Sequence, residues 1–419
     1  MSGLLQVQLT GASPRRARVA LAGCGVVGGA LIRLLRERRA SVEREQGVQF
    51  EMVGVLVRDL RRPRMVESAA GVVTNDLRAW LSQDADVVVE ATGARDTALQ
   101  IARATLTRGR RFITANKALI AAHGPELAAL ARASGGRLHF EAAVGGGVPM
   151  IRVLREALRH TGVRSVRGVL NGTTNYVLTR MAEGEPLAEA LQGARLRGFA
   201  EADASRDLDG RDAADKIAIL AWLAFGIDPA AVQVQRRELG PRADALVATA
   251  RAHGGVLRQI AECSLTEGGV ITAVEPVIVA ATSPFAQAVG EENCVCIETR
   301  RNGTTRLFGP GAGGPPTAAA LLSDLLAPDS VEPGPRPSPP ASRPDERLHT
   351  WAISTASGGV APVFAALDSN GLAVQWARTD LAARVHALTA PADRGRVTAC
   401  LRELEHAGTG PVAVRTEVG

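Results

Sequence analysis

The stretch Arg18-Val19-Ala20-Leu21-Ala22-Gly23-Cys24-Gly25-Val26-Val27-Gly28 reads as a buried strand, a glycine turn and the start of an apolar helix from Val26 to Leu35. Gly23 to Gly28 fits G-x-G-x-x-G in the strand-turn-helix context that dinucleotide binding needs. The glycines allow a tight turn and close backbone approach, and the helix N-terminus meets the pyrophosphate. Glycine-rich packing without a ligand is the competing reading, and the βα units that follow speak against it. Gly23, Gly25, Val26, Val27 and Gly28 are therefore expected to hold a dinucleotide.

Working outward, a second strand runs roughly Phe50 to Val57 and ends at Arg58, with Arg61, Arg62 and Arg64 close behind. An NAD-preferring fold usually puts an acidic residue at that strand end, whereas a guanidinium there can fork a 2′-phosphate. Arg58 points to NADP(H) as the preferred cofactor and leaves NAD(H) as the second. Asp59 and the arginine richness of the chain also fit a solvated basic loop. Strand Asp86 to Glu90 ends in Ala91-Thr92-Gly93, and strand Arg111 to Thr114 leads into Ala115-Asn116-Lys117. Ligands bind outside the carboxyl ends of parallel strands, which puts Thr92, Gly93, Asn116 and Lys117 on the cofactor side. A further strand, Leu138 to Glu141, runs into a glycine-rich turn ending at Val148-Pro149.

From Met150 the pattern changes. An amphipathic helix to about His160 precedes a strand, Ser165 to Leu170, and then a polar turn, Asn171-Gly172-Thr173-Thr174-Asn175-Tyr176, that opens a helix. Val- and Ile-rich strands at Val270 to Ala280 and Cys294 to Arg306 suggest a mixed sheet with helices on one face. A helix from about Thr317 to Leu326 follows. Residues 328–345 hold seven prolines and read as a semi-rigid linker. Beyond it, 346–419 reads as strand, helix, two strands, helix, strand.

Composition limits the function classes. The 419 residues carry 49 basic and 43 acidic side chains, with 46% hydrophobic and 3% aromatic residues. The net charge of +6 is spread along the chain, so the basic stripe and stacking aromatics of a nucleic-acid binder are missing. No apolar run reaches the ~20 residues of a membrane span. The paired arginines Arg15-Arg16 faintly resemble a signal peptide, but the apolar stretch after them is accounted for as strand and turn. Five scattered cysteines form no disulfide framework or paired metal-ligand spacing, which fits a reducing cytoplasm.

Of the 49 basic residues only Lys117 and Lys216 are lysines. An ammonium is a compact point charge that can give up a proton, unlike a guanidinium. Lys216 stands at the start of an apolar helix, Ile217 to Phe225, after the carboxylates Glu201, Asp203, Asp207, Asp209, Asp212 and Asp215. A calcium loop fails on register, because Lys216 falls where the bidentate Glu is required. Asp212 and Lys216, four apart, share a helix face, and a lysine held against carboxylates suits proton transfer. The residues alone thus give an NADP-linked dehydrogenase or reductase with a lysine acid/base.

These motifs, in this order, resemble the homoserine dehydrogenase family over about residues 17–327. The resemblance rests on Gly23 to Gly28, Thr114 to Leu119, Glu141 to Pro149, Leu170 to Tyr176, Gly198 to Lys216, and Gly309 to Thr317 with Asp324. It implies interconversion of L-aspartate 4-semialdehyde and L-homoserine with NAD(P)(H). By that likeness Lys216 is the general acid, with Lys117 at the junction of cofactor and substrate. Asp212 and Asp207 match carboxylates that hold the substrate amino group and orient the lysine. Glu201, Thr173 and Tyr176 fall in the family's substrate-binding motifs. Glu141, Val144, Gly146 and Val148 match a monovalent-cation site for Na+ or K+. The implied fold is α/β: a Rossmann-type domain over 1–149, completed by about 309–327, and a mixed α+β substrate and dimerisation domain over 150–308. After the linker comes a small ACT-like α+β domain over 346–419. A homodimer or homotetramer and feedback by threonine are implied with it. The chain departs from the family at Ala202 and Ala204, where prolines are usual, and at Ala356-Ser357-Gly358-Gly359, where an acidic turn is usual. Those departures keep two alternatives open: the same scaffold acting on another amino-acid semialdehyde or keto compound, and a non-catalytic sensor of NADP or an amino acid.

Overall fold

The computed structural model describes residues 14–62, 73–199, 205–240, 242–328, 340–356, 359–380 and 384–418. Arg64, Glu201, Ala202, Asp203, Ala204, Ser357, Gly358 and most of the proline-rich stretch lie outside the described residues. The chain divides into two compact units. One takes the described residues up to Asn116, Glu126–Phe140 and the described residues of Thr317–Glu332. The other takes Lys117–Pro125, Glu141–Pro316 and the described C-terminal residues.

The first unit is built on six parallel strands: β1 (Arg15–Ala22), β2 (Val48–Leu56), β3 (Val73–Thr74), β4 (Val87–Glu90), β5 (Arg111–Thr114) and β6 (Arg137–His139). Their order is β3-β2-β1-β4-β5-β6. The order reverses between β1 and β4, the switch point at which α/β sheets bind ligands. Val19 to Ala22 and all of β4 are buried, as an apolar run covered on both faces should be. The helix after β1 spans Val26–Gln46, well past the expected end at Leu35. Its second half is charged rather than apolar and includes the i,i+4 pair Arg39–Glu43 at 2.9 Å. Gly47, at φ 62°, stops it by donating its N–H to the Glu43 carbonyl.

The second unit holds an eleven-stranded sheet. In chain order its strands are β7 (Val163–Val169), β8 (Gln235–Arg236), β9 (Gly255–Thr266), β10 (Gly269–Ala280), β11 (Glu292–Thr299), β12 (Gly303–Pro310), β13 (Ser342–Arg343), β14 (Thr350–Ser354), β15 (Val374–Thr379), β16 (Val385–Thr389) and β17 (Val412–Thr416). The main path is β12-β11-β7-β9-β10-β17-β14-β16-β15, with β8 and β13 both paired to β10. Three local readings change. The stretch Cys294 to Arg306, read as one strand, is the hairpin β11–β12, turned through Gly303 at φ 65°. The helix from Met150 shifts at Val153 into a wider π-type turn and ends at Ala157. Strand β9 escaped sequence reading because Arg258, Gln259 and Glu262 interrupt its apolar pattern, although all three are buried.

The C-terminal elements follow in the expected order, but they do not form a separate sheet. β17 pairs in parallel with β10 through Val277–Arg415 and Ile278–Thr416, so these strands extend the central sheet. An ion network fastens them. Glu262 on β9 and Glu275 on β10 are 2% and 1% exposed. Arg415 on β17 reaches both, at 3.3 and 3.2 Å. Arg347 reaches Glu262 at 2.8 Å, and Arg394 reaches Glu275 at 2.6 Å. Burial alone would raise the Glu262 carboxyl, but Arg167, Arg415 and Arg347 hold it at about 2. Removing one member of such a cluster leaves buried charge uncompensated. Arg415→Met is expected to cost roughly 3–5 kcal/mol of stability in denaturant unfolding at neutral pH. A loss below about 1 kcal/mol would show that the remaining arginines neutralise both glutamates by themselves.

Candidate active site

The C-terminal ends of β1, β2 and β4 form a candidate dinucleotide site within the first unit. A cavity of about 520 Å³ there is lined by Gly23, Gly25, Arg58, Asp59, Arg62 and Thr92, among others. The space depends on glycine. A Cβ on Gly23 (φ 91°) would overlap the Ala91 carbonyl, and one on Gly28 would overlap the Gly23 carbonyl oxygen. A Cβ on Gly25 would meet nothing within 4 Å, so this backbone is open to a ligand. Gly25 caps the helix without a side chain, and no acidic residue stands in the first turn, as an anion-binding N-terminus requires. Val26 is 75% exposed at this helix start. The cradle fits a dinucleotide.

Glu90, which sequence reading passed over, organises the neighbouring strand ends. Fully buried, its carboxylate accepts the Thr92 backbone N–H and hydroxyl at 2.7 and 2.6 Å, and the Thr114 hydroxyl at 2.5 Å. Thr114 in turn accepts the Asn116 N–H at 3.0 Å. Thr92 and Asn116 are thereby held by one carboxylate at the ends of β4 and β5. Gly93, at φ 74°, has open space where a Cβ would be. Arg58 is exposed, and the Asp59 carboxylate accepts the Arg61 N–H at 2.8 Å, which spends one of its oxygens on the turn.

A separate charged cluster lies within the other unit. The helix carrying Lys216 begins at Arg211, so Lys216 sits inside it, one turn after Asp212, rather than at its start. Sequence reading lost the first turn because its alanines and aspartates carry no apolar signal. Asp212 is nearly buried, and both lysines converge on it. Its Oδ2 lies 2.7 Å from Lys216 Nζ, and its Oδ1 lies 2.8 Å from Lys117 Nζ. Lys117 is the first residue of the helix Lys117–Ser134, which follows β5 in sequence. Lys216 Nζ also donates to the Leu170 carbonyl at 2.7 Å. Among the described residues, two of its three N–H bonds are thus committed, which leaves one for a ligand.

The same cluster contains Asp207, whose Oδ1 accepts from Asn171 Nδ2 at 2.8 Å. Burial, together with the Asp212 charge, raises the Asp207 carboxyl above its ordinary value. Burial opposes ionisation of Asp212 too, but Lys216 and Lys117 hold it far below the usual carboxylate range. Burial would lower Lys117, and Asp212 outweighs it and raises the ammonium.

Other expected residues lie further off. Thr173 gives its hydroxyl to the Phe199 carbonyl at 2.6 Å. Tyr176 is packed in an apolar cluster with its ring 5.3 Å from Phe199, so the structure does not bring it to the carboxylates. Asp209 turns away to Arg211. The run Glu141 to Gly146 is buried, with Gly145 and Gly146 both left-handed. Glu141 accepts the Ile151 and Arg152 N–H groups at 2.9 and 2.8 Å, and burial raises it to about 6.

Known proteins match this arrangement. A family profile described as homoserine dehydrogenase matches residues 149–326, and one described as the NAD-binding domain of homoserine dehydrogenase matches 23–141. The homoserine dehydrogenase of Bacillus subtilis is 33% identical over 74% of this chain and 72% of its own length. This chain belongs to the homoserine dehydrogenase family. The enzyme of that name from Synechocystis is 37% identical over the same shares of the two chains. Among solved structures, a homoserine dehydrogenase from Thiobacillus denitrificans superimposes with a TM-score of 0.85 at 26% identity, covering 97% of this chain and 99% of that one. A hyperthermophilic archaeal homoserine dehydrogenase in complex with NADPH gives 0.63 at 27% identity, covering 74% of this chain and 97% of that one.

The chain is therefore an oxidoreductase that interconverts L-aspartate 4-semialdehyde and L-homoserine with a nicotinamide dinucleotide. Among the described residues no helix is long and apolar enough to cross a membrane. The glycine cradle gives a direct test. Gly28→Val is expected to weaken NADPH binding at least tenfold, about 1.4 kcal/mol, in a fluorescence titration. Unchanged affinity would place the dinucleotide elsewhere.

Proposed function

We propose that Lys216 is the proton donor of the reaction, that Asp212 holds it, and that NADP(H) is the preferred cofactor. The observation that supports this most is the convergence of the only two lysines in the chain on one nearly buried carboxylate. When bound, the dinucleotide supplies a hydride to the aldehyde carbon. As the carbonyl π pair moves onto oxygen, Lys216 Nζ places its remaining N–H on that oxygen and transfers the proton, leaving an alcohol and a neutral amine that solvent reprotonates. Asp212 and the Leu170 carbonyl keep the ammonium in place while the oxyanion charge develops. Asp207, with Glu201, binds the substrate ammonium, and Lys117 offsets the second oxygen of Asp212. Thr173 supports the start of the helix Gly172–Ala182 through its bond to the Phe199 carbonyl.

The preference for NADP(H) over NAD(H) rests on Arg58 and Arg62 lining the dinucleotide cavity, where a 2′-phosphate would meet a guanidinium. A monovalent cation, Na+ or K+, is proposed at Glu141, Val144, Gly146 and Val148, supported by one buried carboxylate beside a turn of left-handed glycines. Division into a Rossmann-type domain, a substrate and dimerisation domain and an ACT-like C-terminal domain belongs to the same proposal. So do a homodimer or homotetramer, threonine feedback and a cytoplasmic location; family membership and the C-terminal element order support them.

Lys216→Ala should lower turnover of L-aspartate 4-semialdehyde by ~10²–10⁴-fold while NADPH still binds. Near-normal turnover would remove Lys216 from the mechanism. Arg58→Ala should reduce kcat/KM for NADPH about tenfold or more and leave NADH nearly unchanged, because only the 2′-phosphate contact is lost. An unchanged ratio of the two would end the NADP reading.

A further inference from the structure

Asn171 lies at the end of β7, at the N-cap of the helix Gly172–Ala182, and has no assigned part in the chemistry. Its side chain is 4% exposed, and every polar atom on it is used. Oδ1 accepts the Thr174 N–H at 2.7 Å. Nδ2 donates to Asp207 Oδ1 at 2.8 Å and to Asp212 Oδ2 at 2.9 Å. The cap bond fixes the amide orientation: with its oxygen committed to a backbone donor, the NH₂ group must face the two carboxylates, which can only accept.

We infer that Asn171 is the positioning residue of the proton-transfer cluster: a neutral double donor that keeps Asp207 and Asp212 ionised and apart. The electrostatic problem it meets is specific. Lys117 and Lys216 both lie within ion-pair distance of Asp212, and Asp207 has no ion-pair partner within that distance among the described residues. Without another donor, the less compensated carboxylate would take up a proton or draw Lys216 away from Asp212 and the Leu170 carbonyl. A lysine or arginine at position 171 would compete with Lys216 for Asp212, and a carboxylate would repel both neighbours. An amide supplies two N–H bonds without charge. The adjacent Leu170 carbonyl holds Lys216 Nζ, so two consecutive residues at the end of β7 fix the acid and its counter-ions together.

The consequence is a pH limit. The charged groups around Asp207 are Asp212, Lys216 and Lys117, and Asp215 also acts on Lys117. The Asn171 bond favours the ionised form of Asp207, so losing it moves that carboxyl upward. Activity then disappears at a higher pH on the acid side.

Two substitutions separate this role from helix capping. Asn171→Ser keeps an N-cap hydroxyl but loses the double donor. Asn171→Asp keeps both the shape and a good cap while placing a third carboxylate against the other two. Melting temperature, kcat/KM for L-homoserine and its pH profile are measured for both. Asn171→Ser should melt within a few degrees of the parent, lose roughly 10–100-fold in kcat/KM and shift its acid limb upward by about one pH unit. Asn171→Asp should be the slower of the two despite being nearly isosteric. Near-parent activity in Asn171→Asp, or an unmoved acid limb in both variants, would overturn the inference and leave Asn171 as a cap. The inference rests on the Lys216 reading for its catalytic consequence. Lys216→Ala, measured alongside, tests that reading separately, because the acid limb reports the carboxylates whether or not Lys216 donates the proton.

Discussion

A single carboxylate, Asp212, holds the charged cluster of the second unit together. Nearly buried, it would protonate if it stood alone, and the two lysines beside it would lose their common counter-ion. With Lys117 on one oxygen, and Lys216 and Asn171 on the other, the group stays ionised in a place where water could not keep it so. The surrounding architecture delivers these partners from separated parts of the chain. The helix Arg211–Phe225 presents Asp212 and Lys216 one turn apart, the helix Lys117–Ser134 opens with Lys117, and the end of β7 supplies Leu170 and Asn171.

Buried charge is handled similarly elsewhere in that unit. Glu262 and Glu275 lie in the middle of the central sheet, and arginines reach them from β7, β17 and the C-terminal segments. The arginine bias of the chain suits this task. A guanidinium presents several donors in a fixed fork and can serve two carboxylates at once, as Arg415 does. The chain's two lysines, by contrast, each place a compact ammonium on one oxygen of the same carboxylate, Asp212. The first unit uses a different device: one buried carboxylate, Glu90, hydrogen-bonded by threonine hydroxyls and a backbone amide, braces the loops beside the glycine turn.

Much of this was legible in sequence where the signal was local. The G-x-G-x-x-G turn works through glycines that act within six residues of one another, and its strand and helix bracket it directly. Asp212 and Lys216 were paired correctly because helix spacing alone puts them on one face. Legibility failed where charge replaced apolar periodicity. The second half of the helix Val26–Gln46 was missed for that reason, and so was β9, whose polar residues are satisfied only by partners distant in sequence.

The sequence by itself determined the fold class, the dinucleotide turn and the two lysines, because these rest on short-range periodicity, on glycine's conformational freedom and on the rarity of a residue type. Tertiary structure alone decided that Lys117 meets Asp212 across 95 residues, that Tyr176 belongs to an apolar cluster, that Asn171 spans two carboxylates and that β17 completes the central sheet. The physical reason is common to all four. Each depends on the compensation of buried polar or apolar groups by partners remote in the chain, and no local pattern records which distant partner will arrive.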